Sequence, residues 1–197
     1  MTATVHIIDD EETIRDSLEF LLASRGIPAQ GWPSGESYLA ALPHPNCACI
    51  ILDVRMGGLS GPEVFDHLLT IGSPPPVIFL TGHADVPVAV QTLKAGAFDF
   101  VEKPFNDNQI VDLVQKAMTT FEIETQKADE KKDLDRRLAA LSAREAEVMR
   151  LMLQGNLNKQ IGDILGIAMR TVEVHRSRVM AKMGARNIAE LASIVNG

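Results

Sequence analysis

Four short apolar runs, "TVHIID", "ACIILD", "PVIFL" and "FDFV", recur through the first ~120 residues, and each precedes a segment whose apolar residues repeat at helical spacing, such as Ile14, Leu18 and Leu22, or Val64, Leu68 and Ile71. No other feature constrains the fold as much. Strands and helices in alternation build a parallel sheet covered on both faces. In such a sheet the functional groups gather outside the carboxyl ends of the strands. Five chemically useful side chains fall on that edge: Asp9 and Asp10 close the first run, Asp53 closes the second, Thr81 follows the third and Lys103 follows the fourth.

The stretch "VHIIDDEE" sets Asp9, Asp10, Glu11 and Glu12 side by side, although neighbouring carboxylates repel one another. Asp10, Glu11 and Glu12 also suit the start of a helix, where they cap it and complement its dipole, and for Glu11 and Glu12 this reading is sufficient. Asp9, Asp10 and Asp53 converge differently, because Thr81 and Lys103 share their edge and offer a hydroxyl and an ammonium to phosphoryl oxygens. Three carboxylates in one crevice call for a cation. Hard oxygen donors with few other ligands suit Mg²⁺, which keeps waters and favours phosphate partners.

With 197 residues, 46% of them hydrophobic, the chain is long enough for one large or two small domains. No apolar run reaches the roughly 20 residues that cross a bilayer, no signal-peptide pattern opens the chain, and a cytoplasmic address without a membrane partner is expected. Cys47 and Cys49, two apart in "CACIILD", are expected on one strand face as buried thiols, since no further Cys or His cluster completes a metal or redox site. His6, His44, His67, His83 and His175 are scattered, with no pair at metal-ligand spacing, and read as structural or solvated groups.

The net charge of −7 conceals a division: residues 1–122 hold six Lys/Arg against sixteen Asp/Glu, residues 123–137 five of each, and residues 138–197 eight against five. An acidic unit joined to a mildly basic one implies a cationic ligand for the first and a polyanion for the second. The boundary falls in "EIETQKADEKKDLDRR", densely charged and free of Gly and Pro, which suits an exposed helix, and Leu134, Leu138 and Leu141 extend a stripe from it. This gives domains at 1–121 and 138–197 with a helical linker at 122–137. Beyond the linker, helices are predicted at 143–153, 158–165, 169–183 and 187–195, with a Ser142–Glu145 capping box, Gly155 and Gly166 as stops, and Asn187 as a cap. The segment "NKQIGDILGIAMRTVEVHRSRVMAKMG" has helix-turn-helix proportions. Ile161, Ile164, Leu165, Val172, Val179 and Met183 form its inward face; Arg170, Thr171, Glu173, Val174, Arg176, Ser177, Arg178 and Lys182 face outward or lie at the edge. On charge alone a solvated helical interaction domain would serve equally.

Two resemblances sharpen these readings. "IIDDEE", "IILDVRM", "FLTGHAD" and "FVEKPF" resemble the receiver domain of two-component response regulators over residues 3–120. The resemblance implies a flavodoxin-like (βα)5 fold in which Asp53 is the phosphoacceptor for a sensor histidine kinase. Asp10, Asp53 and the backbone carbonyl of Arg55 would hold Mg²⁺, with Asp9 assisting through water. Lys103 would stabilise the phosphoryl oxygens, and Thr81 and Phe100 would be the switch pair, unless Phe100 is a plain core aromatic. Pro104 matches a position where relatives often have a cis bond. "RMGGLSG" departs from the pattern, with Gly57 where relatives usually carry Pro, which loosens the loop beside Asp53.

"LSAREAEVMRLMLQGNLNKQIGDILGIAMRTVEVHRSRVMAKMGARNIAELASIV" resembles the four-helix LuxR- and NarL-type DNA-binding domain. By this resemblance Glu173, Val174 and Ser177 face bases while Lys159, Arg170, Thr171, Arg178 and Lys182 hold phosphates of double-stranded DNA. Ala168 stands where relatives usually have Ser and removes a helix cap. Glu173 either accepts from a cytosine amino group or pairs with a neighbouring Arg. The order of the two units resembles the FixJ and NarL group of response regulators, "TGHADVPVAVQTLKAGAFDFVEKPF" resembles the FixJ branch of it, and the resemblance implies a transcription factor, not an enzyme beyond its own phosphotransfer and autodephosphorylation. Phosphorylation would favour a homodimer through the face carrying the fourth helix, the fifth strand or the fifth helix. Two other readings fit less of the chain: a phosphatase using Asp53, which lacks an acid catalyst, and a constitutively dimeric binding protein, which leaves the acidic cluster without a purpose.

Overall fold

The computed structural model describes residues 3–82 and 86–196. His83, weighed above with the other histidines, and the rest of "HAD" lie outside the described residues. The chain divides into two compact units, Met1–Thr125 and Gln126–Gly197.

In the first unit, β1 (Thr4–Ile8), β2 (Ala29–Trp32), β3 (Cys47–Asp53), β4 (Val77–Thr81) and β5 (Asp99–Glu102) alternate with α1 (Glu12–Ser24), α2 (Gly35–Ala40), α3 (Gly61–Ile71), α4 (Val86–Lys94) and the start of α5 (Asp107–Ala139). All pairings are parallel and the order is β2-β1-β3-β4-β5. Four strands are the apolar runs of the sequence; β2, "AQGW", is an edge strand of four residues whose composition gives no strand signal. One buried cluster joins Val5, Ile7, Ile51, Ile78 and Leu80 to α1 and α5, and another joins Ile8, Ile50, Leu52 and Phe79 to α2 and α3. Each helix thus closes one face of the sheet. Ile71, expected on the inward stripe of α3, is the last residue of that helix and is exposed, because the stripe outruns the sheet beneath it.

Cys47 and Cys49 are both buried and free, but they lie on opposite faces of the sheet. The pairing shifts from Thr4↔Cys47 to Val5↔Cys49, so Ala48 is an extra residue in β3, and a bulge of one residue inverts the face of everything before it. The Cys47 thiol therefore meets the Tyr38 hydroxyl and the Cys49 backbone carbonyl rather than the Cys49 thiol, and burial pushes it up to about 11.

The second unit contains the end of α5, then α6 (Ala143–Leu153), α7 (Asn158–Leu165), α8 (Met169–Met183) and α9 (Ile188–Asn196), within a residue or two of the predicted spans. Val148, Met152, Ile161, Val172, Val179, Met183 and Leu191 form its core, with Leu134, Leu138 and Leu141 packed against it. The charged stretch is part of one continuous helix of 33 residues. Ser142 and Glu145 form a reciprocal capping box, Gly166 ends α7 at φ 66°, and Asn187 Oδ1 accepts from the Glu190 amide at 2.9 Å. Ile164, expected inward, lies on the flank of α7 and is exposed; Ile161 and Leu165, one turn apart, define the buried stripe instead. Among the described residues no helix is long and apolar enough to cross a membrane.

Candidate functional site

The strand order changes direction at β1 and β3, which lie side by side, and such a switch point opens a crevice beyond the strand ends. Asp9 and Asp10 follow β1 and Asp53 ends β3, so this crevice receives all three. Asp9 and Asp53 are buried and Asp10 is exposed; one oxygen from each lies within 4.8 Å of the others. Gly61 makes the close packing possible: a Cβ there would run into the backbone carbonyl of Asp53, so only glycine lets α3 start against the end of β3.

The protein's own groups offset part of the repulsion that the sequence argument had assigned wholly to a divalent ion. Lys103 follows β5, anchored by its amide on the Thr81 carbonyl at 2.8 Å, and its ammonium lies 2.7 Å from Asp53 Oδ1 and 2.9 Å from Asp9 Oδ2. Backbone amides supply the rest: Glu11 N–H donates to Asp9 Oδ1 at 2.8 Å, Arg55 N–H to Asp53 Oδ2 at 2.9 Å, and Gly57 N–H to Asp10 Oδ2 at 2.9 Å. Burial raises the Asp53 carboxyl above its ordinary range, against the pull of Lys103. For Lys103, burial acts downward, but the hydrogen bonds and charges of Asp53 and Asp9 carry the ammonium above its ordinary value. Three carboxylates against one ammonium leave two negative charges on hard oxygen donors, a set that fits a Mg²⁺ ion.

Thr81 ends β4, buried, with its hydroxyl donating to the Gly82 carbonyl at 3.1 Å. Phe100 pairs in register with Phe79 and is half-buried against the cluster on the α2 and α3 side. The structure therefore brings Asp9 and Asp53 into contact with Lys103, sets Asp10 within 4.8 Å of both carboxylates, and places Thr81 and Phe100 on the adjoining strands.

Sequence reasoning missed the groups that brace the loop after β3. Glu36 Oε1 accepts from Leu59 N–H at 2.7 Å, and Glu63 Oε2 accepts from Ser60 N–H at 2.8 Å. Arg15 donates to the Asp9 carbonyl at 2.7 Å. Glu63 was legible, three residues after Ser60 as in any capping box, whereas nothing local announces Glu36, 23 residues from its partner.

In the second unit, Lys159, Arg170, Thr171, Glu173, Val174, Ser177 and Arg178 are exposed, the last six along α8. Lys182 is engaged: its ammonium bonds Glu145 Oε2 at 2.6 Å and the Ala140 carbonyl at 2.9 Å. The Lys182 hydrogen bond, together with the cap on Ser142, lowers the Glu145 carboxyl to about 2. Arg137 donates to the Met183 carbonyl at 2.8 Å, closing the end of α8.

Comparison with known proteins agrees with both halves. Residues 5–115 match the family described as response regulator receiver domain, and residues 139–195 match bacterial regulatory proteins of the luxR family. The chain is 63% identical over 194 residues, 98% of each chain, to the C4-dicarboxylate transport transcriptional regulatory protein DctR of Rhodobacter capsulatus. It is 39% identical to the transcriptional regulatory protein FixJ of Bradyrhizobium diazoefficiens, over 96% of this chain and 93% of that one. Among solved structures, the response regulator StyR superposes with a TM-score of 0.94 at 33% identity, covering 100% of this chain and 99% of that one.

Proposed function

The chain belongs to the two-component response regulators that join a receiver domain to a LuxR-type DNA-binding domain, and from that premise we propose that Asp53 is the phosphoacceptor whose modification switches DNA binding. As a member it is a DNA-binding transcriptional regulator rather than a classical enzyme. The observation that carries the proposal is the ammonium of Lys103 held between Asp53 and Asp9, with Asp10 alongside.

An Asp53 oxygen attacks the phosphorus of a phosphohistidine on a sensor kinase; the new P–O bond forms as the P–N bond breaks, and the departing imidazole takes up a proton. Asp10, Asp53 and the carbonyl of Arg55, with Asp9 through water, would hold Mg²⁺, which when bound neutralises charge on the transferring group. Lys103 passes from the carboxylate to a phosphoryl oxygen. The Thr81 hydroxyl leaves a neutral carbonyl for a charged acceptor, a stronger hydrogen bond, and Phe100 turns into the space it vacates. Residues 1–121 act as the phosphoacceptor unit, 122–137 as linker and 138–197 as the DNA-binding unit, in the cytoplasm.

The altered surface of α4, β5 and α5 favours a homodimer, which presents two α8 helices to paired half-sites about one helical turn apart. Glu173, Val174 and Ser177 face bases and Lys159, Arg170, Thr171 and Arg178 face phosphates; Lys182, grouped with them by the sequence resemblance, stays on Glu145. The identity to DctR supports a role in controlling C4-dicarboxylate transport genes. The test is to add Mg²⁺ and a small phosphodonor, then record intact mass, oligomeric state and binding to the promoter of a C4-dicarboxylate transporter gene. Wild type gains one phosphoryl group, dimerises and binds more tightly, and Asp53→Asn does none of these. An equal response of the two proteins would sink the proposal.

A further inference from the structure

The loop between β3 and α3 contains Gly57 and Gly58 in succession, and the sequence gives it no covalent brace, yet the structure ties it at four amides. Arg55 N–H donates to Asp53, Gly57 N–H to Asp10, Leu59 N–H to Glu36 and Ser60 N–H to Glu63, at 2.9, 2.9, 2.7 and 2.8 Å. Glu36 and Glu63 hold only the loop, and Asp53, buried, also holds the Lys103 ammonium at 2.7 Å. The bond to Asp10 differs, because Asp10 is the exposed member of the metal-fitting cluster and its carboxylate oxygen Oδ2 accepts from the Gly57 amide.

An exposed aspartate without a partner samples several rotamers, and a cation that binds it must first fix one of them. The Gly57 amide already holds Asp10 Oδ2 in place. We infer that Gly57 is a positioning residue for the cation site: its backbone N–H pre-orients Asp10 as a ligand, so that binding of the divalent ion and order in the loop beside Asp53 are coupled. Proline, which lacks an N–H, could not do this. The inference rests on the reading of Asp9, Asp10 and Asp53 as a Mg²⁺ site.

Substitution separates the hydrogen bond from mere stiffness. Gly57 is outside the left-handed region, and a Cβ on it would meet only Asp10 Oδ2 at 3.7 Å, an ordinary contact, so Ala is accommodated and keeps the N–H. Pro removes the N–H and stiffens the chain. If stiffness governed the site, Gly57→Pro would bind the ion more tightly than Gly57→Ala; if the amide governs it, Gly57→Pro binds more weakly, by about tenfold, the lower end of what loss of a supporting partner costs a metal ligand.

Mg²⁺ affinity of the full chain would be measured by calorimetric titration for wild type, Gly57→Ala, Gly57→Pro and Asp10→Asn, with thermal unfolding in EDTA as the check on folding. Weakening confined to Gly57→Pro and Asp10→Asn supports the inference. Affinity of Gly57→Pro equal to or above that of Gly57→Ala overturns it. A wild type that does not bind Mg²⁺, or an Asp10→Asn that binds equally well, instead overturns the reading of the cluster as a cation site. Should Gly57→Pro fail to fold, hydrogen exchange at the Gly57 amide decides: faster exchange in Asp10→Ala than in wild type supports the bond, and unchanged exchange overturns it.

Discussion

Lys103 holds two carboxylates with one ammonium, and Asp9, fully buried, has no route to water as compensation. Lys103→Gln removes the cation and leaves both charges behind, so in EDTA at neutral pH urea unfolding should show a loss of about 3 kcal/mol, shrinking as acid protonates the carboxylates. His6 makes the opposite kind of demand. Its Nδ1 accepts from Trp32 Nε1 at 3.2 Å and its ring lies 4.8 Å from that of His44, so the site takes a neutral imidazole. Burial, and then the charge of His44, depress His6 to about 4 from the 6.5 of an exposed histidine. Above 6.5 neither folded nor unfolded chain carries the proton and stability is complete. Between 6.5 and 4 only the unfolded chain gains it, so stability falls as the pH falls, by about 2 kcal/mol at pH 5. Urea unfolding at pH 7 and pH 5 reads this directly, and His6→Gln should flatten the difference.

Gly61 shows how an element's start can depend on one missing atom. Gly61→Ala forces the first turn of α3 away from the Asp53 carbonyl, at a cost of about 1–3 kcal/mol, and should slow phosphorylation by a small phosphodonor, because the displaced carbonyl belongs to Asp53, the phosphoacceptor we propose. Ala168 is the converse case. It has the extended conformation of an N-cap, φ −65° and ψ 145°, but no side-chain oxygen, so Ala168→Ser should stabilise the second unit by about 1 kcal/mol in chemical unfolding. The same elements show where sequence was readable. β1, β3 and β4 were legible because apolar runs buried on both faces announce themselves, β5 because "FDFV" sets apolar residues around Asp99, and α6 to α9 because Ser142, Gly166 and Asn187 punctuate them. β2 was silent because "AQGW" is a short edge strand, and the face of Cys47 was misread because a bulge at Ala48 leaves no mark in composition. The crevice was legible from strand ends alone; the amides that hold its carboxylates were not, since a backbone donor has no letter in the sequence.

At the scale of the whole chain, an acidic receiver unit and a net-basic DNA-binding unit share one polypeptide, so attraction to a polyanion must come from few cations: eight Lys/Arg against five Asp/Glu after residue 137. Their use is uneven. Lys159, Arg170 and Arg178 are exposed, whereas Lys182 is held by Glu145 and the Ala140 carbonyl, and Glu145 also caps α6. A lysine committed to an internal carboxylate releases little counterion on binding DNA, because its charge is already compensated. If the proposed phosphorylated dimer contacts phosphate through Lys159, the dependence of its log K on log salt should therefore lose about 0.9 in slope for each lost contact when Lys159→Ala is made, close to two over two subunits. Lys182→Met should leave the slope nearly unchanged and lower the melting temperature of the second unit, since it strands a buried carboxylate at the start of α6. A slope change for Lys182→Met as large as that for Lys159→Ala would mean that DNA draws Lys182 away from Glu145, and that the ion pair is broken in the complex.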